Sequence, residues 1–170
     1  MFIKGYSKGA INISAKLIVI DGSTQKTGVA YFCNGKYKAH HLLDYSKDKN
    51  IDNRFDDMSH AIWDLLEIYK PNILYIEETY AAVNPQTTKV LTRLQGVAYA
   101  WCMNHDCNFN TIRPSSWRKQ LNFTQGKGIK RDQLKEQSVK YVLDNYGLNV
   151  GDDEADAICI GDAVIKLFNK

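Results

Sequence analysis

Long hydrophobic runs are missing from this chain. The longest purely aliphatic stretch is Leu17–Ile20, far short of the ~20 apolar residues that a helix needs to cross a bilayer. Cysteine is sparse: Cys33, Cys102, Cys107 and Cys159 form no CxxC pair and no regular framework, so free thiols in a reducing compartment are expected. Residues 1–16 hold three scattered lysines and no apolar core of a secretory signal, so a cytoplasmic location is expected. Charge of one sign is not in excess either. The 22 basic residues against 19 acidic leave a net charge of +3, and aromatics make up 11% of the 170 residues, which together exclude whole-chain disorder. No repeat, low-complexity tract or linker divides the chain. Residues 17–170 are therefore expected to form one domain, preceded by an extension over residues 1–16.

What is present is a legible alternation of strand and helix signals. Leu17–Ile20 is a buried strand running into Asp21-Gly22-Ser23-Thr24. Residues 28–32 form a second strand, Asn34-Gly35 is a hairpin turn, and Tyr37–Leu43 is a third strand. Asp44–Asn53 is polar and reads as a loop. From Phe55 the period becomes helical through Met58, Ile62, Leu65, Leu66 and Tyr69, until Pro71. Residues 73–76 form another buried strand, ending in Glu77. Val90, Leu91, Leu94, Val97, Ala98 and Trp101 mark a second helix, and residues 109–112 a fifth strand closed by Arg113-Pro114. Residues 123–129 lack periodicity and read as a loop. Leu134, Val139, Val142 and Leu143 mark a third helix, and a last one runs from Asp152 to about Phe168. The order predicts an α/β fold of the ribonuclease H-like kind: a five-stranded mixed sheet, made of a three-stranded antiparallel meander plus two parallel strands, flanked by helices.

Chemistry is suggested by carboxylates. Asp21 ends the first strand and Glu77 the fourth. If those strands are parallel neighbours, the two side chains share one sheet edge. Asp153 and Asp156, three apart, share a helix face, and Asp152 rivals Asp153 because i,i+4 spacing also keeps one face. Each carboxylate alone has an ordinary explanation as a turn former or a helix-dipole partner. Together, four converging carboxylates would repel unless hard divalent cations joined them. Two Mg²⁺ per site, with Mn²⁺ as a substitute, fit phosphodiester hydrolysis.

Four motifs then resemble the RuvC-type Holliday junction resolvases. Ile18-Val19-Ile20-Asp21-Gly22-Ser23-Thr24-Gln25-Lys26-Thr27-Gly28 is similar to that family's I-D-P-G and T-G segment, with Gly22-Ser23 standing in place of Pro-Gly. Tyr75-Ile76-Glu77-Glu78 resembles its I-E motif, with Asn84 where the family often has Asn. Leu94-Gln95-Gly96 resembles the following helix, and Asp153-Glu154-Ala155-Asp156-Ala157 its closing D-x-A-D-A. The resemblance spans residues 17–167, and the compact, divergent form suits a phage-encoded member. It implies a homodimer, a two-metal site of Asp21, Glu77, Asp153 and Asp156 in each subunit, and nicking of opposed strands of four-way DNA junctions.

Basic residues crowd the region before the third helix: Arg113, Arg118, Lys119, Lys127, Lys130, Arg131 and Lys135. They are either a solvated face or phosphate contacts. The resemblance implies basic residues near the metals here, with Arg118 or Lys119 and Lys130 or Arg131 as the matching positions and Lys127 beside them. It also implies that Tyr80, three residues after Glu77, meets an unstacked base. The apolar positions Val90, Leu94, Val97 and Trp101 are expected either to pack on the sheet or to form the dimer interface. Cys102-x2-His105-x-Cys107 lacks a fourth zinc ligand and reads as a helix end, and His40-His41 should point to opposite faces of a strand. Competing functions are an actin-like or sugar-kinase ATPase, a weak branched-DNA-binding module, and a ribonuclease H-like nuclease for RNA or flaps. The ATPase would need a second domain and a second phosphate motif.

Overall fold

The computed structural model describes residues 15–79 and 85–169. Five strands form one sheet: β1 (Lys16–Asp21), β2 (Lys26–Cys33), β3 (Lys36–Asp44), β4 (Ile73–Glu77) and β5 (Asn108–Ile112), in the order β3-β2-β1-β4-β5. The first three are antiparallel neighbours, while β4 lies parallel to β1 and β5 parallel to β4. The expected mixed sheet is thus present, and the Asn34-Gly35 turn has both residues at positive φ, 56° and 68°, as a tight hairpin with right-twisted strands requires.

Strand alternation divides the core in two. Ile18, Ile20, Val29, Leu74 and Ile76 face a layer made of α1 (Ile51–Tyr69) and α2 (Pro85–Asn104). Leu17, Val19, Ala30 and Phe32 face α3 (Pro114–Gln120), α4 (Arg131–Tyr146) and α5 (Asp152–Phe168). Both faces are buried because helices cover both, which is why β1 reads as continuous aliphatics and not as an alternation. Central in the second layer, α5 carries Ala155, Ala157, Ala163 and Gly161, all fully buried. These small residues let the helix approach β2 closely: a Cβ on Gly161 would stand 2.0 Å from the Phe32 ring, and one on Gly28 1.9 Å from the Asp153 carbonyl oxygen.

Three sequence expectations need correction. First, α1 begins at Ile51, inside the stretch read as a polar loop. The Asn50 side chain caps it, accepting from the N–H of Asp52 at 2.8 Å and of Asn53 at 3.3 Å. Arg54 is buried there and donates to the carbonyls of Thr24 and Asp48 at 2.8 and 2.7 Å. Second, α3 was not anticipated, since Pro114 after β5 looks like a terminator. Proline is equally suited to the first turn of a helix, and a seven-residue helix with Trp117 as its one buried residue shows no period. Third, of the four apolar positions offered for an interface, Val90, Leu94 and Trp101 are 1–2% exposed and pack under the sheet, which leaves only Val97 partly at the surface. The exposed apolar side chains of that layer are Trp63, Ile68, Tyr99 and Met103, at 37, 70, 50 and 68% exposure.

The histidines and cysteines behave as structural residues. His40 faces Tyr37 and Glu154, and His41 bonds Tyr69 from the other face. His105 stacks on Trp101 at 4.1 Å, while its Nδ1 meets the Trp101 carbonyl at 2.8 Å and its Nε2 meets Glu67 at 3.0 Å. Both ring nitrogens thus face partners other than Cys102 and Cys107. Among the described residues no helix is long and apolar enough to cross a membrane.

Candidate active site

Asp21 and Glu77 are brought together by register. Ile20 pairs with Ile76 across the parallel β1–β4 ladder, so the next residue of each strand stands at the same edge. Alternation gives both side chains the face of Val19 and Tyr75, the face on which α5 lies. The turn after Asp21 closes without the usual proline: Ser23 Oγ accepts from the N–H of Lys26 at 2.8 Å and of Gln25 at 3.2 Å, and donates to the Lys26 carbonyl at 2.5 Å. Beyond Glu77, the Gln95 side-chain amide on α2 donates to the Glu77 carbonyl at 3.0 Å and to Thr79 Oγ1 at 2.9 Å. This fixes the strand end from the opposite layer.

The last helix supplies the other acids. Its first turn passes over Gly28, the residue paired with Asp21 on β2. A side chain at position 28 would collide with the helix backbone, so Gly28 of the sequence motif is the contact surface for α5, while Thr27 Oγ1 bonds within the turn to Ser23. Burial, followed by repulsion from Glu77, Asp156 and Asp153, pushes the Asp21 carboxyl well above the usual range, with Arg118 opposing. Burial also raises Glu77, against the Trp117 hydrogen bond and the charges of Arg118 and Arg131. Asp156 is pushed up to about 6 by burial, with Glu77 adding to it and Ser138 and Arg118 opposing. Asp153 is raised by burial and by Asp152. Asp152 itself ends below the normal range: burial raises it, but its pairing with Lys135 prevails. Asp152 is thus already engaged, while Asp153 acts on Asp21.

Three buried side-chain atoms here have no hydrogen-bond partner among the described residues: Asp156 Oδ1, Arg118 Nε and Ser138 Oγ. The Ser138 hydroxyl lies beside Asp156 and holds its pKa down against burial. A buried carboxylate oxygen without a donor is costly unless something else binds it. All four acids offer oxygen donors, which suit a hard divalent cation. Among the described residues no three such side chains stand at ligand spacing around one point.

The basic positions separate. Arg118 stacks over the Trp117 ring at 4.7 Å, and its charge reaches Asp21, Glu77 and Asp156. Arg131, at the start of α4, acts on Glu77, Asp152 and Asp153. Lys119, Lys127 and Lys130 are exposed, and Lys130 precedes α4, its N–H bonded by Gln133 at 2.9 Å. Arg113 pairs with Glu78 at 3.0 Å. Tyr80 and Asn84 lie outside the described residues. Sequence reading missed Trp117, whose indole N–H donates to Glu77 Oε1 at 2.8 Å. It missed Ser138 as well. Neither belongs to a recognisable pattern, although a lone tryptophan among basic residues was a usable signal.

The strand order, with helices on both faces of the mixed sheet, is that of the ribonuclease H-like fold. Comparison with known proteins is more specific. The family model described as Crossover junction endodeoxyribonuclease RuvC matches residues 17–164, and the chain belongs to that family. Proteins named crossover junction endodeoxyribonuclease RuvC are similar to it: that of Rickettsia typhi is 24% identical over 94% of both chains, and that of Rickettsia akari 27% identical over 74% of this chain and 78% of its own. Solved structures share the fold. Thermus thermophilus RuvC in complex with Holliday junction substrate has a TM-score of 0.67 at 14% identity, over 88% of this chain and 91% of its own. The yeast mitochondrial Holliday junction resolvase Ydc2 has a TM-score of 0.60 at 16% identity, over 95% and 81%.

Proposed function

We propose that this enzyme is a structure-selective endonuclease that nicks opposed strands of four-way and related branched DNA junctions, with Asp21, Glu77, Asp153 and Asp156 as its metal-holding set. The observation that carries the reading is the mutual influence of these four acids where the start of α5 meets the β1–β4 edge, with Asp156 Oδ1 buried there. Two divalent ions, Mg²⁺ or Mn²⁺, would supply an activated water and stabilise the leaving oxygen. Lys135 withdraws Asp152 from this set. Arg118 and Arg131 face the carboxylates and support charge developing on the phosphate. Lys119, Lys127 and Lys130 lie outward and meet the DNA backbone, and Tyr80 stacks on an unpaired base at the junction centre.

Opposed nicks need two sites in fixed relation, which a two-fold homodimer provides. Between α1 and α2 lies an open groove of about 650 Å³ lined by Phe55, Trp63, Val97 and Ala100, and Ile68, Tyr99 and Met103 are exposed on the same two helices. This face supports the dimer; of the positions first considered it includes Val97, while Val90, Leu94 and Trp101 are buried beneath it. Residues 17–170 act as one nuclease domain in the cytoplasm, with residues 1–16 as an extension. The test is cleavage of a mobile four-way junction, a flap and an RNA–DNA hybrid by the purified chain, with Mg²⁺, Mn²⁺ or chelator. Paired nicks on the junction alone, abolished by chelator, support the reading. Preference for the hybrid or the flap overturns the junction assignment.

A further inference from the structure

Trp117 does more than its burial requires. Its side chain is 0% exposed on the short helix α3, packed edge-on against Phe123 at 5.8 Å. A buried indole N–H needs an acceptor, and any backbone carbonyl would satisfy it. Here the acceptor is Glu77 Oε1, 2.8 Å away and 40 residues earlier in the chain. The face of the same ring carries Arg118. One rigid indole therefore touches a carboxylate of the acidic cluster with its edge and the cation nearest that cluster with its face.

The chemical type of this donor matters. A lysine or arginine bonded to Glu77 would neutralise it and compete with a metal ion. An indole is uncharged, so it orients the carboxylate and leaves its charge in place. The terminal torsion of glutamate is broad and roughly two-fold, and nothing intrinsic to β4 would fix it. Bonding Oε1 removes that freedom, and Oε2 makes no other hydrogen bond among the described residues.

We propose that Trp117 is a positioning residue for the metal site: its N–H pins one oxygen of Glu77 so that the other is presented to the divalent cation. This rests on the reading above that Glu77 is a metal ligand. Partners that orient a ligand in this way typically change metal affinity by 10–100-fold when removed.

The experiment is Mn²⁺ binding to the full chain without DNA, followed by the loss of the free-ion electron paramagnetic resonance signal. Trp117→Phe keeps the ring packing and deletes the donor. Its Mn²⁺ affinity should fall by roughly 10-fold or more, and the Mn²⁺ midpoint for junction cleavage should rise in parallel, with most of the rate recovered at saturating metal. Phe123→Leu, which loosens the packing of Trp117 but removes no donor, should lower the melting temperature and leave the Mn²⁺ affinity unchanged. Unchanged Mn²⁺ affinity in Trp117→Phe overturns the proposal, as does an equal loss in Phe123→Leu. Glu77→Gln is measured alongside. If it binds Mn²⁺ normally, the ligand reading of Glu77 has failed. If it does not and Trp117→Phe does, only the positioning role has failed. Should Trp117→Phe not fold, the assigned indole proton of Trp117 in the unsubstituted protein decides. It should shift on Mg²⁺ addition, and shift again in Glu77→Gln. A resonance unmoved by both refutes the contact.

Discussion

Replacing Gly28 by alanine should separate the two halves of the acidic cluster while leaving every acid in the sequence. A Cβ at position 28 would lie 1.9 Å from the Asp153 carbonyl oxygen, 2.5 Å from its carbon and 3.0 Å from the Glu154 nitrogen, whereas ordinary contact begins at 3.4 Å. The obstacle is backbone, so no rotamer change relieves it. β2 is held by β1 on one side and β3 on the other, which leaves the first turn of α5 to give way, by roughly 1.5 Å if an ordinary contact distance is restored. That turn carries Asp153 and leads to Asp156. Misplacement by about 1 Å can cost about 100-fold in rate, and overpacking of this kind costs roughly 1–3 kcal/mol of stability. For a domain of this size the melting temperature should fall by about 2–4 °C per kcal/mol. Single-turnover junction cleavage at saturating metal, read beside thermal unfolding, measures both. Gly161→Ala is the control. It collides with the buried Phe32 ring farther along α5, so it should lose comparable stability with a much smaller loss of rate. Wild-type cleavage by Gly28→Ala, or equal rate losses in both variants, would refute the account of how α5 is placed.

Other outcomes follow from the same geometry. Asp156→Asn should abolish nicking yet raise the melting temperature of the metal-free protein at pH 7, on the order of 1–3 kcal/mol of relieved burial and repulsion; full activity, or a lower melting temperature, contradicts it. Because Asp156 is pushed up to about 6, its folded form binds a proton more tightly than its unfolded form. The metal-free protein should therefore be steadier near pH 4–5 than near pH 7 on this account, losing stability as pH rises from about 4 to about 6, and the dependence should be weaker in Asp156→Asn across the same denaturant series. Tyr80→Ala should cost junction cleavage up to ~1–3 kcal/mol of stacking while duplex affinity and melting temperature hold, and Tyr80→Phe should keep most function. Met103→Glu, on the exposed face of α2, should convert a dimer to a monomer in light scattering; a wild-type chain that is monomeric and active at micromolar concentration removes the dimer altogether.

Much of the fold was legible because its signals are local. Aliphatic runs ending in acids, a turn with two left-handed residues and helices at the right period required no tertiary knowledge. β1 and β4 could be paired because crossover connections favour parallel neighbours. The failures were also local in origin. Asn50 and Arg54 look like loop residues, yet one is a cap and the other is buried through bonds to carbonyls 30 and 6 residues away. Val90, Leu94 and Trp101 have the composition of an interface and of a core alike, and only the sheet above them decides. For the acids, position along the chain was enough to nominate Asp21, Glu77, Asp153 and Asp156. The separation of Asp152 from Asp153 was not readable, because it depends on Lys135 reaching across from α4. Trp117 was invisible for the same reason: its partner is 40 residues away.

The dependence of β1 and β2 on α5 has a consequence during synthesis. A ribosome delivers Asp21 and Glu77 well before Asp153 and Asp156, which arrive only with α5. Until then the sheet face of Leu17, Val19, Ala30 and Phe32 has no Ala155, Ala157 or Ala163 against it. Contacts of such sequence separation form late and slowly. A nascent or truncated chain ending before Asp152 thus holds half of its acids and an uncovered apolar face, the mark of a target for proteases and chaperones. Placing α5 on the sheet and bringing Asp153 and Asp156 beside Asp21 and Glu77 are therefore one step of folding.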